Sequence, residues 1–368
     1  MNRRNTLKIL GGGLILSAAV VGGTGTYVAK RQPKTARLPW VNAGNYSDIR
    51  HIALSYALLA ANPHNRQPWI VELVGENTLH LWKDETRLLP ATDPFSRQIN
   101  IGLGSFLEQM VLASKAHGYD AALDVFPGGQ DGPVAIAVFS KGAKRDPLFD
   151  QISARRSCKK PFESRPVSKT SAAELASFAT IAIADNKVAA IKKITWDAHV
   201  VEMTTPYTWQ ESVDLMRLGV NEVDANPDGI GLTGGMLELM SFTGILTRES
   251  SMNPQSTGFK EGMKIFDEMF HATPAYAYLT SQGNTPKDQI AIGRKWARLN
   301  LKTTQMGLSL HPVSQSLQEY PEMDEQYRNI HDLLAKPGET VQMLGRLGYG
   351  PQTPPSPRWP LEVKLKNG

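Results

Sequence analysis

Apolar residues recur at helical spacing in two long stretches of the chain, and this periodicity predicts two long helices. The first would begin at Asp93, a favourable N-cap, and end near Gly118. The second covers residues 286–307. Shorter helices are predicted at residues 48–61, 171–182, 323–334 and, as a pair, 192–220.

Alternating and β-branched apolar stretches predict strands between these helices. WIVEL (69–73) and TLHLWK (78–83) flank the turn residues VGEN and indicate a β-hairpin. Residues 30–46 show no comparable pattern, which indicates a linker. Further strands are predicted at residues 121–126, 133–139, 275–281 and 340–349. This mixture of elements is typical of an α+β protein.

The two long helices align at one fixed offset, which places Gly104 on Gly293 and Gly118 on Gly307. The first glycine of each helix would allow close packing, and the second suits the helix end. The same offset also places Met110 on Leu299 and Leu112 on Leu301. We infer two related halves of one compact unit, an intramolecular pseudo-dimer.

The predicted boundaries divide the chain into a head and these two halves. Residues 1–36 form the head, residues 37–146 the first half and residues 147–368 the second half. The second half carries an insert at about 221–262, rich in glycine, methionine and polar residues. Because it is too long for a simple loop, we expect a lid or a substrate-specificity segment there.

The net charge of +5 comes from the head of the chain. Seven of the 40 basic residues and none of the 35 acidic ones precede residue 48, which leaves 33 bases against 35 acids, or −2, in the remainder. A general nucleic-acid surface is therefore excluded. The single cysteine, Cys158, excludes an internal disulfide and a cysteine-based zinc site. The eight histidines show no metal-ligand spacing.

The head has the pattern of a targeting segment. Its basic residues 2–8 precede an uncharged apolar stretch at 9–29. Arg3 and Arg4, followed by Leu7 and Lys8, resemble a twin-arginine signal, from which Thr6 departs. We therefore expect recognition by the twin-arginine translocase and a periplasmic or cell-envelope location. A Sec signal or an uncleaved membrane anchor of about 20 residues is the alternative.

The candidate chemistry lies in ARRSCKKPF, residues 154–162. In an extended segment Arg155, Ser157 and Lys159 share one face, which suits an extended anionic ligand with a phosphate at one end. A solvated basic loop is the alternative. GIGLTG (229–234) matches the letters of a dinucleotide-binding fingerprint, but a turn-rich segment precedes it in place of a strand, so a flexible loop is expected.

RxSxK at 155–159, PHNxQPW at 63–69 and Arg-x-Pro-Leu-Glu at 358–362 together resemble the nitroreductase family of FMN enzymes. The resemblance is to its Acg-like branch, in which two halves are fused in one chain, and it implies the nitroreductase fold with FMN between the halves. Arg155, helped by Arg358, would then hold the phosphate, because a guanidinium matches phosphate geometry. Ser157 would contact the phosphate or ribityl chain. Lys159 would lie at the flavin pyrimidine edge and raise the flavin potential.

The resemblance places the other wall of the flavin slot at the polar turn of residues 62–65. Two residues of this turn, Asn62 and Pro63, replace the two serines of the family pattern, while Asn65 matches it. The turn residues assigned to the cofactor are Asn62, Pro63, His64 and Asn65. A satisfied helix C-terminus beside a buried Trp69 is the alternative.

A third piece follows the second long helix, where the family loop covers the flavin near N5. It assigns Pro312, Val313 and Ser314 to the cofactor, although Ser314-Gln315 replaces the usual acidic-Gly pair. Since each half keeps only one of the two motifs, the pieces complete one site, and one FMN per chain is expected.

The resemblance implies an FMN-dependent oxidoreductase that reduces nitroaromatics, quinones or similar acceptors by a ping-pong cycle. The flavin supplies the redox chemistry, so no catalytic side chain and no metal are expected. The electron donor would be NAD(P)H, a quinol or another protein. Two alternatives stay open: a flavin-sequestering protein without turnover, and a cofactor-free exported binding module.

Overall fold

The computed structural model describes residues 8–10, 13–15, 28 and 30–366. The helices are α1 (Leu38–Asn42), α2 (Ile49–Ala57), α3 (Arg97–Ala116), α4 (Lys169–Leu175), α5 (Asp185–Thr204), α6 (Pro206–Asp214), α7 (Gly219–Ala225), α8 (Gly235–Phe242), α9 (Arg248–Met252), α10 (Thr257–His271), α11 (Pro286–Gln305) and α12 (Asp324–Leu334). The strands are β1 (Lys8–Leu10), β2 (Gly13–Ile15), β3 (Trp69–Val74), β4 (Thr78–Lys83), β5 (Tyr119–Val125), β6 (Ala135–Lys141), β7 (Thr180–Ala182), β8 (Met216–Leu218), β9 (Ile230–Leu232), β10 (Ala275–Ser281), β11 (Ser309–Pro312) and β12 (Thr340–Gly348). The α+β class is confirmed.

Two antiparallel four-stranded sheets form the frame, in the orders β3-β4-β6-β5 and β11-β12-β10-β7. The predicted hairpin is present, with Trp69 paired to Lys83 and Val74 to Thr78. Strands β8 and β9 form a small parallel pair, and β1 and β2 a small antiparallel one. The alternation in β3 buries Trp69 and Val71 on one face, where the Trp69 and Phe106 ring centroids lie 4.8 Å apart.

Helices α3 and α11 cross at Gly104 and Gly293, the glycines that the sequence alignment pairs. A Cβ on Gly104 would lie 2.2 Å from the Ile290 carbonyl oxygen, and one on Gly293 would lie 2.1 Å from that of Ile101. Only glycine therefore permits this approach. The later glycines, Gly118 and Gly307, have φ of 81° and 68°, as expected just beyond a helix end.

Three element predictions are wrong in part. The segment 30–46 is no free linker: it holds α1, and the Lys34 and Ala36 amides each donate to Asp224 at 3.0 Å. Residues 171–182 do not form one helix, because α4 ends at Leu175 and β7 joins the second sheet. Helix α2 ends at Ala57, four residues before the predicted end.

The predicted insert is folded. Helices α7 to α10 and strand β9 occupy it. The stretch GIGLTG contains β9, and α8 begins directly after it, so the expectation of a flexible loop is also wrong. None of the helices in the described residues combines the length and the apolar composition needed to cross a bilayer. The predicted signal residues Arg3 and Arg4 lie outside the described residues.

Candidate functional site

The polar turn after α2 has a strained backbone. His64, Asn65 and Gln67 have φ of 46°, 53° and 52°, in the left-handed region that side chains disfavour. Each such residue costs on the order of 1 kcal/mol or more, and such strain clusters at functional sites. The turn packs on α3, where a Cβ on Gly102 would lie 3.0 Å from Cβ of Asn62 and 3.2 Å from Cδ of Pro63.

Gln67 holds this turn in place. Its amide donates to Oδ1 of Asn62 at 2.7 Å, and its side chain donates to the Pro227 carbonyl at 2.7 Å. Its Oε1 accepts from the Trp359 amide at 2.9 Å, and its carbonyl accepts from Nζ of Lys364 at 2.8 Å. Gln67 is fully buried. The conformation of the turn is thus fixed by contacts from two distant parts of the chain, one at Pro227 and one in the C-terminal segment.

Arg358 joins the C-terminal end to the turn. Its Nε donates to the Leu58 carbonyl at 2.7 Å, its Nη2 to the Ala60 carbonyl at 2.8 Å, and its Nη1 to Oδ1 of Asn65 at 2.6 Å. The carbonyls that follow a helix lack intrahelical donors, and a cation there is favourable. The structure therefore brings Arg358 and Asn65 together, and it also supports the capping role of the alternative interpretation.

Arg155 lies beside Arg358 and donates from Nη2 to the Leu59 carbonyl at 2.7 Å. With Arg156 they surround Trp40, whose ring centroid is 5.8, 4.6 and 5.7 Å from the guanidinium carbons of Arg155, Arg156 and Arg358. We call these three residues the arginine cluster. Among the residues that the structure describes, no carboxylate forms an ion pair with any of them.

The arginine cluster is electrostatically incomplete. Burial, and then the neighbouring Arg156, lower the pKa of Arg155 to about 10. Burial, and then Arg155 and Arg156, hold the pKa of Arg358 well below its ordinary value. The buried Nε of Arg155 also has no hydrogen-bond acceptor among the described residues. Three guanidinium groups without a counter-charge and one unused donor fit a phosphate dianion.

A second group of cationic and imidazole side chains consists of Lys159, His64 and His311. Desolvation by the surrounding protein lowers the pKa of Lys159, although the residue itself is exposed. Burial and the Lys159 charge lower the pKa of His64 to about 4. Burial, Arg346 and Lys159 likewise hold the pKa of His311 well below its usual value. Lys159 thus faces a ring from the turn and a ring from β11.

Ser157 connects the two groups, since it pairs with Leu310 of β11 in a single parallel bridge. Strand β11 then ends at Pro312. The Val313 side chain is buried in the core beside the second sheet, and Ser314 donates to Oε1 of Gln98 at 2.9 Å. Ser157 and Pro312 are therefore neighbours of Lys159 and His311 along two paired segments, whereas the Val313 side chain lies in the core.

A buried carboxyl group, Glu202 of α5, lies behind His64. Ser212 of α6 donates to Oε1 of Glu202 at 3.3 Å, and its hydroxyl is 3.1 Å from Nε2 of His64. Gln318 donates to Oε2 of Glu202 at 3.3 Å. Burial raises the pKa of Glu202 to about 7.

Sequence reasoning missed Glu202, Ser212 and Trp40. The first two belong to helices without any recognisable motif, and Trp40 belongs to the stretch expected to be a linker. No local signal marks any of them.

Comparison with known proteins gives short and distant matches. No family model matches the chain. A Mycobacterium tuberculosis (strain H37Rv) protein named "Putative NAD(P)H nitroreductase acg" is 33% identical over 91 residues, which are 25% of this chain and 27% of that protein. An uncharacterized protein of the same strain is 32% identical over 120 residues, 30% of this chain and 35% of that protein. The matches span about a quarter to a third of these curated relatives. Over these segments the chain is their distant homologue.

Three solved structures superpose on the chain with low scores. A nitroreductase-like family protein from Bacillus cereus has a TM-score of 0.32 at 15% identity and covers 61% of this chain and 97% of its own. The FMN-dependent nitroreductase NfnB from Mycobacterium smegmatis, in complex with NADPH, has a TM-score of 0.35 at 17% identity. It covers 59% of this chain and 96% of its own. A nitroreductase from Anabaena variabilis, described as putative, has a TM-score of 0.41 at 11% identity. It covers 89% of this chain and 91% of its own. At these scores the superpositions do not establish a common fold.

Proposed function

We propose that this chain is an FMN-dependent oxidoreductase of the nitroreductase type, which passes electrons from a reduced donor to nitroaromatic, quinone or similar acceptors. The observation that carries the proposal is the meeting of distant stretches at the arginine cluster. Arg155 and Arg358, separated by about 200 residues in sequence, both reach the Leu59 carbonyl, at 2.7 and 3.2 Å, and Arg358 also reaches Asn65. No carboxylate among the residues that the structure describes neutralises these two guanidinium groups, and a bound phosphate would neutralise them.

The same proposal gives each remaining residue a role. The arginine cluster would hold the FMN phosphate, with Ser157 beside it, and Lys159 would lie at the pyrimidine edge. The turn of residues 62–65 would form one wall, and residues 312–314 would lie near N5. Bound FMN would supply the hydride chemistry. The crossing of α3 and α11 at Gly104 and Gly293 supports two nitroreductase-like halves that share one FMN.

The phosphate assignment is tested by comparing FMN with riboflavin, which has the same ring and no phosphate. We expect one FMN per chain, and an affinity for FMN about 100-fold above that for riboflavin, since a bidentate charged contact contributes about 3 kcal/mol. Arg155→Ala should remove most of this difference. Arg145→Ala, at an exposed arginine, is the matched control. Equal affinity for the two flavins, or a colourless protein that takes up neither, would exclude the assignment.

Flavin binding without turnover is the second candidate function, and the enclosure of the site favours it. Trp40 covers the arginine cluster, and the folded insert contacts the turn through the Gly229 amide, which donates to the Asn65 carbonyl at 3.2 Å. Photoreduction followed by addition of menadione or a nitroarene separates the candidates. Rapid reoxidation supports the oxidoreductase, and inert reduced flavin supports storage.

The location and the electron donor belong to the proposal as well. Arg3, Arg4 and the apolar stretch after them support export by the twin-arginine translocase to the periplasm or cell envelope. A quinol or a protein would then be the donor in place of NAD(P)H. Fractionation of cells that express the full chain, with Arg3 and Arg4 both changed to lysine as the control, tests this location.

A further inference from the structure

Glu202 is a buried carboxyl group whose environment requires an explanation. It lies on α5 with a side chain only 7% exposed, and no lysine or arginine of the described residues pairs with it. A buried carboxylate without a cation is costly, so such a group takes up a proton or serves a reaction. Its hydrogen-bond partners are neutral: Ser212 on one oxygen and Gln318 on the other.

Ser212 connects this carboxyl group to the candidate site. Its hydroxyl lies 3.3 Å from Oε1 of Glu202 and 3.1 Å from Nε2 of His64. When Glu202 is protonated, its O–H can donate to Ser212 while the Ser212 hydroxyl donates to Nε2 of His64, so Ser212 can pass a proton from one to the other. These separations are at the long end for hydrogen bonds, which often shorten when a site is loaded.

His64 forms the end of this hydrogen-bonded chain that is nearest to Lys159. Its side chain is 16% exposed, and its Nδ1 makes no hydrogen bond with the residues that the structure describes. The left-handed φ of 46° at His64 is part of the strained turn that orients the ring. Nε2 of the ring is therefore bound to Ser212, and Nδ1, which has no partner among the described residues, is available to a ligand.

We propose that Glu202, Ser212 and His64 form a proton relay that delivers a proton to the electron acceptor bound in this site. The inference rests on the proposed oxidoreductase function. Glu202 and Ser212 would act through His64 and are positioning residues. His64 alone would touch the acceptor.

The proton balance of acceptor reduction requires such a source. A quinone that becomes a hydroquinone gains two electrons and two protons, of which bound FMN would supply both electrons and one proton. The second proton leaves Nδ1 of His64 while Nε2 receives the Ser212 proton, and Ser212 takes its replacement from the Glu202 carboxyl group. Glu202 ends as the carboxylate and His64 ends with its proton on Nε2. Uptake of a proton from water at Nδ1 then returns the Nε2 proton through Ser212 to Glu202 and restores the starting state.

The titration of Glu202 suits this task. Its pKa of about 7 keeps a large protonated fraction at neutral pH, where proton donors are most effective. The titratable groups that face Glu202 are His64 from the turn, Glu211 from α6 and Tyr320 from the segment before α12, while Lys159 faces His64. Glu211 raises the pKa further, and burial keeps His64 neutral, so no described cation opposes the protonated form.

The test compares an acceptor that needs protons with one that does not. Glu202→Gln keeps the shape and cannot supply a proton, and Ser212→Ala breaks the relay but keeps the acid. Flavin-reduced protein is mixed with menadione or with ferricyanide, which takes an electron alone. In both variants the ratio of the quinone rate to the ferricyanide rate should fall about 100-fold at pH 6. Glu249→Gln, at an exposed glutamate, is the control.

A second measurement reports on Glu202 in the flavin-free protein. The infrared carbonyl band of a protonated carboxylic acid should disappear with a midpoint near pH 7, persist in Ser212→Ala and be absent from Glu202→Gln. Unchanged rate ratios in flavin-loaded variants, equal slowing with both acceptors, or no such band in the wild type would each overturn the relay while leaving the oxidoreductase intact. Failure to bind any flavin would instead overturn both proposals.

Discussion

Replacing Arg155 by methionine tests whether this residue stabilises the fold or binds an anion. Methionine keeps most of the apolar stem and removes the guanidinium. In the flavin-free protein the expected change in the free energy of unfolding is small, within about 1.5 kcal/mol, because two opposing effects nearly cancel.

The first effect is the lost hydrogen bond from Arg155 to the Leu59 carbonyl, which contributes about 1.5–3 kcal/mol as a charge-assisted bond. The carbonyl is not orphaned, since Arg358 still donates to it at 3.2 Å. The second effect is relief of a buried and unpaired charge. Lowering the pKa of Arg155 from 12.5 to about 10 corresponds to a cost on the order of 3 kcal/mol, at about 1.36 kcal/mol per pKa unit.

Arg358→Met is the contrasting variant. It removes six hydrogen bonds and leaves the Leu58 carbonyl and Oδ1 of Asn65 without a donor among the described residues. This loss exceeds the relief of a buried charge, so a net loss of about 2–5 kcal/mol is expected. Urea unfolding of the flavin-free proteins measures both changes, and equilibrium dialysis measures FMN affinity, which should fall about 100-fold in Arg155→Met. If Arg155→Met lost several kcal/mol of stability and kept its FMN affinity, the residue would be a structural cap and the phosphate argument would fail.

Three further variants test other parts of the structure. Lys159→Met should lower the flavin reduction potential, measured by dye-coupled reduction, without loss of folding stability; an unchanged potential would remove the ammonium from the flavin edge. Gly104→Ala should cost about 1–3 kcal/mol or more in urea unfolding, because its Cβ would lie 2.2 Å from the Ile290 carbonyl oxygen, whereas Gly262→Ala, with nothing within 4 Å, should not destabilise. Burial lowers the pKa of Lys364 to about 7, so the unfolded state binds more protons between pH 7 and pH 10.5, and stability should rise with pH in that window. Lys364→Met should flatten this rise, and a slope equal to that of the wild type would contradict the burial argument.

The elements that could be predicted from sequence are those with a strong local period. The 3.6-residue period of α3, and the alternation of the β3–β4 hairpin, each reflect one buried face and need no tertiary information. The glycine alignment even anticipated a tertiary contact, since Gly104 and Gly293 meet at the helix crossing. Boundaries were less accurate: Ser96 precedes α3 directly, while Asp93 accepts from the Gln98 and Ile99 amides.

The parts of the site that could not be predicted depend on long-range contacts. His64 meets Ser212 across 148 residues, and nothing in HVVEMTTPYTWQES marks Glu202 as the carboxyl group beneath it. The stretch around Trp40 has two features of a linker, a proline and a lack of period, yet it is ordered by contacts to Asp224 and Ser356. Motif letters singled out the cationic residues of the candidate site, where the charge itself is unusual, and gave no sign of Glu202, Ser212 or Trp40.

The strained turn and the arginine cluster explain each other. Three left-handed residues in four positions are unfavourable, and they persist because Gln67 and Arg358 bind the turn from several sides. A helix end alone would need neither, since a glycine after Ala57 would cap α2 without strain. Capping therefore accounts for the carbonyl contacts of Arg155 and Arg358. It does not account for three guanidinium groups that gather without a carboxylate among the described residues, and the proposed anionic ligand would.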